Sequence, residues 1–545
     1  MTPARRVMLR PALQLLRVKT TGAARVAGRL SAATRYVVDL VLWSRIAAHS
    51  TELSRHSQSM TRRGVSTAAP VMFMTGAASE ADVWENAFQD VYRVLLANLQ
   101  VPDLISRRRY ARPSPAFQGV YLWDSAFIAQ VWKPWDIGVA IDTCLAPIDL
   151  ADADGRIPHV TTHFIESAFT QPPLLAWSLW NLFDWSGGDD ARAALREAFP
   201  RLVQYNDWLC RHRQNERGLF FWAHPYESGV ENAPRFSSRD ERVLSDTTRL
   251  SAPDFSSYVI LQCESLAAIA LELGDQKQAD RMRERAGLVR NALDVFLWDE
   301  EEGVYFDRDT ASGQFVRSIT IASLMPLWAG VPDADRAARI LDRVVDTEAF
   351  GTRLPLPSVS RSDPEFAKDM WRGSTWLNTA YAVLLGLERY GFREAAAEVA
   401  YRLVDGVYRT HAKTHRLYEF YDPERYDILD LHRKKGNHWK HLTLGSKPRA
   451  EFVGWTGLVN TIVIENILGY SRDRGRAYLR PNIARCMEGR SLIVRLPEPD
   501  VTIEAERLRS GDTQCVVRDT IGVRRARIRN ADRVYVDEMP LESDR

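Results

Sequence analysis

Two adjacent stretches decide the fold class: "SSYVILQCESLAAIALELG", residues 256–274, and "QKQADRMRERAGLVRNALDVFLW", residues 276–298. In both, apolar residues recur at three- and four-residue intervals, the period of an amphipathic helix. A glycine, Gly274, closes the first. The same spacing returns in ten further segments between about Ser79 and Leu468, among them "EADVWENAFQDVYRVLLANL" (80–99), "STWLNTAYAVLLGLERYG" (374–391) and "REAAAEVAYRLVDGVYRTH" (393–411). Twelve helices taken in pairs fit a closed ring of hairpins, six inside and six outside, with a pocket where the inner-helix loops converge. An open helical solenoid is the rival arrangement, but the chain shows no fixed repeat period. After Tyr470 the pattern changes. "SLIVRLPEP" (491–499), "VTIEAERL" (501–508), "TQCVVRDT" (513–520), "RRARIRN" (524–530) and "RVYVDEMP" (533–540) are short, β-rich and divided by turn residues. They read as a small antiparallel appendage with arginines on its outer faces.

Composition bounds the function. The 545 residues carry a net charge of +2, so no overall electrostatic case for nucleic acid exists. Sixteen tryptophans and eighteen tyrosines are a generous supply of flat faces with polar edges, which suit sugar rings. Cys144, Cys210, Cys263, Cys486 and Cys515 are scattered and odd in number, which argues against a disulfide scaffold or zinc site and for a reducing compartment. Between Met1 and Ser50 there are eight arginines and one lysine against a single acid, Asp39. That composition reads as a basic, flexible extension over residues 1–76, with organelle targeting or contact with an anionic membrane as minor alternatives. The chain is expected to be cytoplasmic. Residues 77–470 are then the helical domain and 471–545 the β-rich appendage.

Chemistry concentrates in the loops between helices, as it does on rigid scaffolds. "FQGVYLWDSAFI" (117–128) opens a helix with Trp123 and Asp124. "DGRIPH" (154–159) and "FTQPPLL" (169–175, with Gln171) follow. "HPYESGVENAPRF" (224–236) places Glu227 and Glu231 in one loop. "DMWRGSTWLN" (369–378) places Trp371, Arg372 and Trp376 before a helix. "RLYEFYDPERYD" (416–427) sets Glu419 between aromatics.

In this order, over roughly residues 80 to 470, these stretches resemble glycoside hydrolase family 63, which includes mannosylglycerate and glucosylglycerate hydrolases and processing α-glucosidases, and the related family 37 trehalases. Each motif alone is weak; six in order are strong. The resemblance implies an (α/α)6 barrel and hydrolysis of an α-glycosidic bond with inversion, without a cofactor or metal. By position, the family's general acid falls on Glu231 and its general base on Glu419. Tyr121, Trp123, Asp124, Gln171, Glu227, Arg235, Trp371, Arg372 and Trp376 would line the substrate site. The physical logic agrees. One carboxyl must be protonated to meet the leaving oxygen, and a second must be ionised to activate water, about 6.5–9.5 Å away.

Glu231 stands where the family has aspartate, one methylene shorter. Ala233 and Ser374 also depart from the usual serine and proline. Plainer readings exist for each residue. Glu231 could be a solvated loop residue, Glu419 a buried partner of an arginine, and Asp124 a helix cap. Trp371 and Trp376 could be core, Arg372 an ion-pair partner, and Gln171 a helix-start residue. A sugar-binding relative that has lost catalysis, or a trehalase-like hydrolase, are the alternatives in function. The insert "HRKKGNHWKH" (432–441) reads first as a solvated loop, with a lid or a contact for an anionic aglycone as the sharper alternative. "DADGRIPHVTTH" (152–163) begins like a calcium loop but has arginine at its fifth position and lacks the closing glutamate.

Overall fold

Leu122–Trp132 is a helix with every residue buried, whereas Gln276–Leu297 buries only a stripe, from Ala279 through Met282, Ala286, Val289 and Leu293 to Leu297. A helix apolar all round must sit inside, and one with a single apolar stripe lies on the outside of something. That contrast organises the molecule. The computed structural model describes residues 65, 68–76, 78–239, 247–434, 445–529 and 532–542. Most of the basic N-terminal segment, and residues 435–441 of the insert, lie outside this set.

In chain order the helices are α1 (Ala78–Asn98), α2 (Leu122–Trp132), α3 (Ile137–Asp149), α4 (Leu175–Ser186), α5 (Asp189–Arg213), α6 (Pro225–Ser228) and α7 (Pro253–Glu272). They continue with α8 (Gln276–Leu297), α9 (Met325–Trp328), α10 (Ala334–Val345), α11 (Leu377–Arg389), α12 (Arg393–Thr414) and α13 (Leu458–Thr461). The buried helices touch in sequence: α2 packs on α4, α4 on α7, α7 on α9, α9 on α11, α11 on α13, and α13 back on α2. Around them α1 packs on α12, α3 on α5 and α8 on α7. Helix starts follow local chemistry. Pro253 sits in the first turn of α7, Asp275 accepts from the Gln278 amide at 3.0 Å, and Asp333 accepts from the Arg336 amide at 2.9 Å.

Three expected helices are shorter than their sequence pattern. Pro172 and Pro173 lack amide donors and bias the chain before them towards extended backbone, so α4 begins only at Leu175. The "SITIASLMPLWAG" segment makes a 3-10 turn, Ile321–Leu324, before α9. The last helix turns from α13 into a wider π turn at Ile462–Ile467.

The β-rich end is a five-stranded antiparallel sheet, and its first edge strand comes from before the helices. Val71–Thr75 pairs with Ser491–Pro497, Met72 opposite Val494 and Met74 opposite Leu492. Asp500–Arg507, Thr513–Arg518 and Val523–Ile528 follow in order. This corrects the expected boundaries: residues 71–75 are not part of a flexible extension. "VMFMT" buries Met72 and Met74 and exposes Phe73, the alternation of a half-buried strand. A smaller sheet joins Tyr470–Asp473, Arg476–Leu479 and Val534–Tyr535. Among the described residues, no helix is long and apolar enough to cross a membrane.

Candidate active site

Glu419 lies on an extended strip after α12. Its amide donates to the Arg449 carbonyl at 2.9 Å, and its own carbonyl accepts from Trp455 Nε1 at 2.7 Å. On either side, Thr456 Oγ1 donates to the Tyr418 carbonyl and Thr375 bridges to Tyr421. The backbone is therefore fixed before the side chain is considered. The carboxylate is 5% exposed. Its Oε2 pairs with the Arg433 guanidinium and accepts from the Arg449 amide at 3.4 Å. Oε1 has no hydrogen-bond partner among the described residues.

Glu231 sits in the loop after α6. His224 caps that turn by accepting from the Tyr226 amide through Nδ1, and Pro225 starts it. Gly229 ends it at φ 73, and a Cβ there would stand 2.4 Å from Trp123 Cζ2. Only glycine allows the loop to lie directly on that indole. Asn232 fixes the other side. Its amide donates to the Asp369 carbonyl and accepts from the Trp371 amide, both at 3.1 Å. Between these anchors the Glu231 carboxyl is partly exposed, with Lys434 Nζ 3.9 Å from its Oε1.

Asp124, in the first turn of α2, is 4% exposed and its carboxyl has no side-chain partner among the described residues. Burial pushes it up to about 8, opposed only by its own amide. Gly454 leaves it room, since a Cβ there would come 2.9 Å from Asp124 Oδ1. Tyr121 lies just before. Burial, then the Asp124 charge, drive its phenol well above the usual range. Trp123 packs against Trp455 and Trp371, with ring centroids 5.7 and 6.4 Å apart. Trp371 stacks on Trp376 at 3.7 Å, and Trp376 on Phe420 at 4.6 Å. This aromatic floor connects the Asp124, Glu231 and Glu419 loops.

Residues 118–441 match the model of the mannosylglycerate hydrolase MGH1-like glycoside hydrolase domain. The chain belongs to this family. It is a glycoside hydrolase of family 63, with a relationship to the trehalases. Mannosylglycerate hydrolase of Thermus thermophilus is 28% identical over 376 residues, covering 56% of this chain and 88% of that protein. Periplasmic trehalase of Salmonella choleraesuis is 26% identical over 413 residues, covering 66% of this chain and 68% of that one. The crystal structure of the family 63 mannosylglycerate hydrolase of Thermus thermophilus in complex with Tris and D-glycerate superposes with a TM-score of 0.56. Its identity is 25%, and the match covers 68% of this chain and 98% of that one. Such solved relatives have an α/α toroid fold, which suits a mainly helical hydrolase.

Several residues expected to line the substrate site already have partners within the hydrolase. Glu227 is wholly buried. It pairs with Arg213 through both oxygens at 2.7 and 2.9 Å and accepts from the Ala223 and Thr170 amides. It organises the loop and has no capacity left for a sugar. Arg235 is wholly buried between Asp254 and Asp307, beneath the site. Trp376 donates to the Met370 carbonyl and stacks on Trp371, and the two are equally buried. Gln171 is buried, its Oε1 facing the Trp123 amide at 3.4 Å; it fixes the start of α2. Arg372 pairs with Glu365 at 2.6 Å.

Other residues were not singled out by sequence. Arg433 is 2% exposed and Lys434 packs over the Tyr226 ring at 5.1 Å, so the stem of the insert is no solvated loop. The composition of the insert, four cations and three histidines in ten residues, concealed this. Asn232 left a signal: an amide beside a catalytic candidate can serve one donor and one acceptor at once. Asp152 and Asp154 of the calcium-like stretch are engaged by Arg156 and Trp208. Among the described residues no group of three or more histidines, cysteines or acids is arranged to hold a metal.

Proposed function

We propose that the chain hydrolyses a small α-glycoside with inversion, Glu419 acting as the base and Glu231 as the acid, and that its aglycone is anionic. The observation that carries this is the unequal use of the Glu419 carboxylate. With Oε2 held by Arg433 and the Arg449 amide, Oε1 is left for a water. Glu231 lies on a separate loop, as inversion across a bound sugar needs. The longer side chain is accommodated by a loop pinned through Gly229 and Asn232. Asp124 offers an unpaired buried carboxyl to sugar hydroxyls, over the Trp123 and Trp371 floor.

The aglycone class follows from Lys434. Its Nζ lies 3.9 Å from Glu231 Oε1, beside the acid that must meet the leaving oxygen, so a carboxylate on the aglycone would pair with it. The D-glycerate in the relative's crystal structure supports this class of aglycone. The contact ring of buried helices supports an (α/α)6 barrel over about residues 77–470, with the strand Val71–Thr75 belonging to the β unit.

The test is hydrolysis of mannosylglycerate, glucosylglycerate, trehalose and α-glucobioses, followed by proton NMR beside Glu231→Gln and Glu419→Gln. We expect the β-anomer to appear first, from a glycerate glycoside, and both variants to lose at least about 1000-fold in kcat. Release of the α-anomer first would overturn inversion, and turnover of neutral glycosides alone would overturn the aglycone assignment.

A further inference from the structure

We propose that Arg433 is a positioning residue of the hydrolysis: it grips one oxygen of Glu419 and thereby aims the other at the attacking water. This rests on the assignment of Glu419 as the base. Both partners are buried, at 2% and 5% exposure. A buried ion pair adds little net stability compared with apolar packing, so its geometric consequence is what distinguishes it. That consequence has a direction, because the nearest guanidinium contact and the Arg449 amide both fall on Oε2.

Arg433 can hold a direction because its backbone is held. The His432 amide donates to the Lys368 carbonyl at 2.8 Å, and the Met370 amide donates to the His432 carbonyl at 3.1 Å. The Arg433 amide donates to the Ser446 carbonyl at 3.0 Å, and the guanidinium lies 5.6 Å from the Phe420 ring centre. Burial pushes the guanidinium down to about 10, against the pull of Glu231 and Asp369 and with the push of Arg449. It remains a cation across the working range. The charges around the base are therefore Arg433 and Arg449 beside Glu419, with Glu231, Asp369 and Lys434 one step further out. Arg433 makes and breaks no bond; the proton of the water goes to Glu419.

Two variants separate aim from charge. Arg433→Lys keeps the cation but not the fork. We expect kcat to fall about tenfold with KM nearly unchanged and the ascending limb of the kcat/KM pH profile in place. Arg433→Met removes both. We expect kcat to fall about 100-fold. In parallel, thermal midpoints of Arg433→Met, Glu419→Gln and the double variant should be non-additive, since either single change leaves a buried charge alone. Additive midpoints would overturn the contact. Hydrolysis by Arg433→Lys at the parent rate would overturn the aiming role. If Met prevents folding, Arg433→Lys decides alone. Absence of hydrolysis by the parent chain across the panel would instead sink the base assignment, and this proposal with it.

Discussion

Asp124 is a buried carboxyl with no side-chain partner among the described residues, and its position makes a measurable trade between stability and binding. Its folded form holds a proton up to about pH 8, whereas an unfolded chain releases it near pH 4. Below pH 4 both states are neutral and burial costs nothing extra. As pH rises from there to 8, only the unfolded state gains by ionising, so stability falls across that window and levels off above it. Asp124→Asn should therefore melt with the parent near pH 4 and several degrees above it at pH 8, in a pH series of thermal midpoints. The same variant should lose up to about tenfold in kcat/KM, the value of a hydrogen bond between a neutral carboxyl and a sugar hydroxyl. A fall in midpoint at pH 8 would mean the carboxyl is doing structural work. Glu227 is the opposite case, a carboxylate with four donors and nothing left to offer. Sequence placed both near the site, since motif position does not report how many hydrogen bonds a side chain has already spent.

At the level of elements, the twelve helical stretches were legible because core-facing periodicity is a local property. What shortened them, prolines before α4 and within the first turn of α9, was local as well. The loops were legible only as positions. Which loop lies on which depends on contacts between distant residues, such as Asn232 with the backbone of Asp369 and Trp371. That amide is the seam between the acid loop and the aromatic floor. Asn232→Ala removes one donor and one acceptor from partly buried backbone groups, at a cost of about 1–3 kcal/mol. It also frees the Glu231 loop, and a shift of about 1 Å costs up to about 100-fold in rate. We expect a modest drop in midpoint with a disproportionate drop in kcat. A loss of midpoint with kcat intact would show that the seam serves folding alone. The insert stem was misread for the same reason. "HRKK" is solvated by composition, and only pairing with Lys368, Met370 and Ser446 buries its arginine.

On the scale of the whole molecule, the five-stranded sheet joins the start of the described chain to its end. Val71–Thr75 covers one edge of Ser491–Pro497, and both Met72 and Met74 are buried there. Deleting residues 1–76 removes that strand, while deleting 1–68 spares it. The longer deletion should lose about 2–5 kcal/mol, the scale of truncating a buried methionine or two, and should aggregate through the uncovered strand edge. The shorter deletion should melt with the parent. Equal midpoints for the two truncations, by calorimetry, would show the strand to be dispensable. The pairing also has a temporal side. The ribosome delivers "VMFMT" roughly 400 residues before its partner, and synthesis at about 5–20 residues per second leaves it single for about 20–80 s. Throughout that interval a short apolar strand waits with its hydrogen bonds unmet. The nascent hydrolase is thus most in need of a chaperone during translation, until Ser491–Pro497 emerges to pair with the waiting strand.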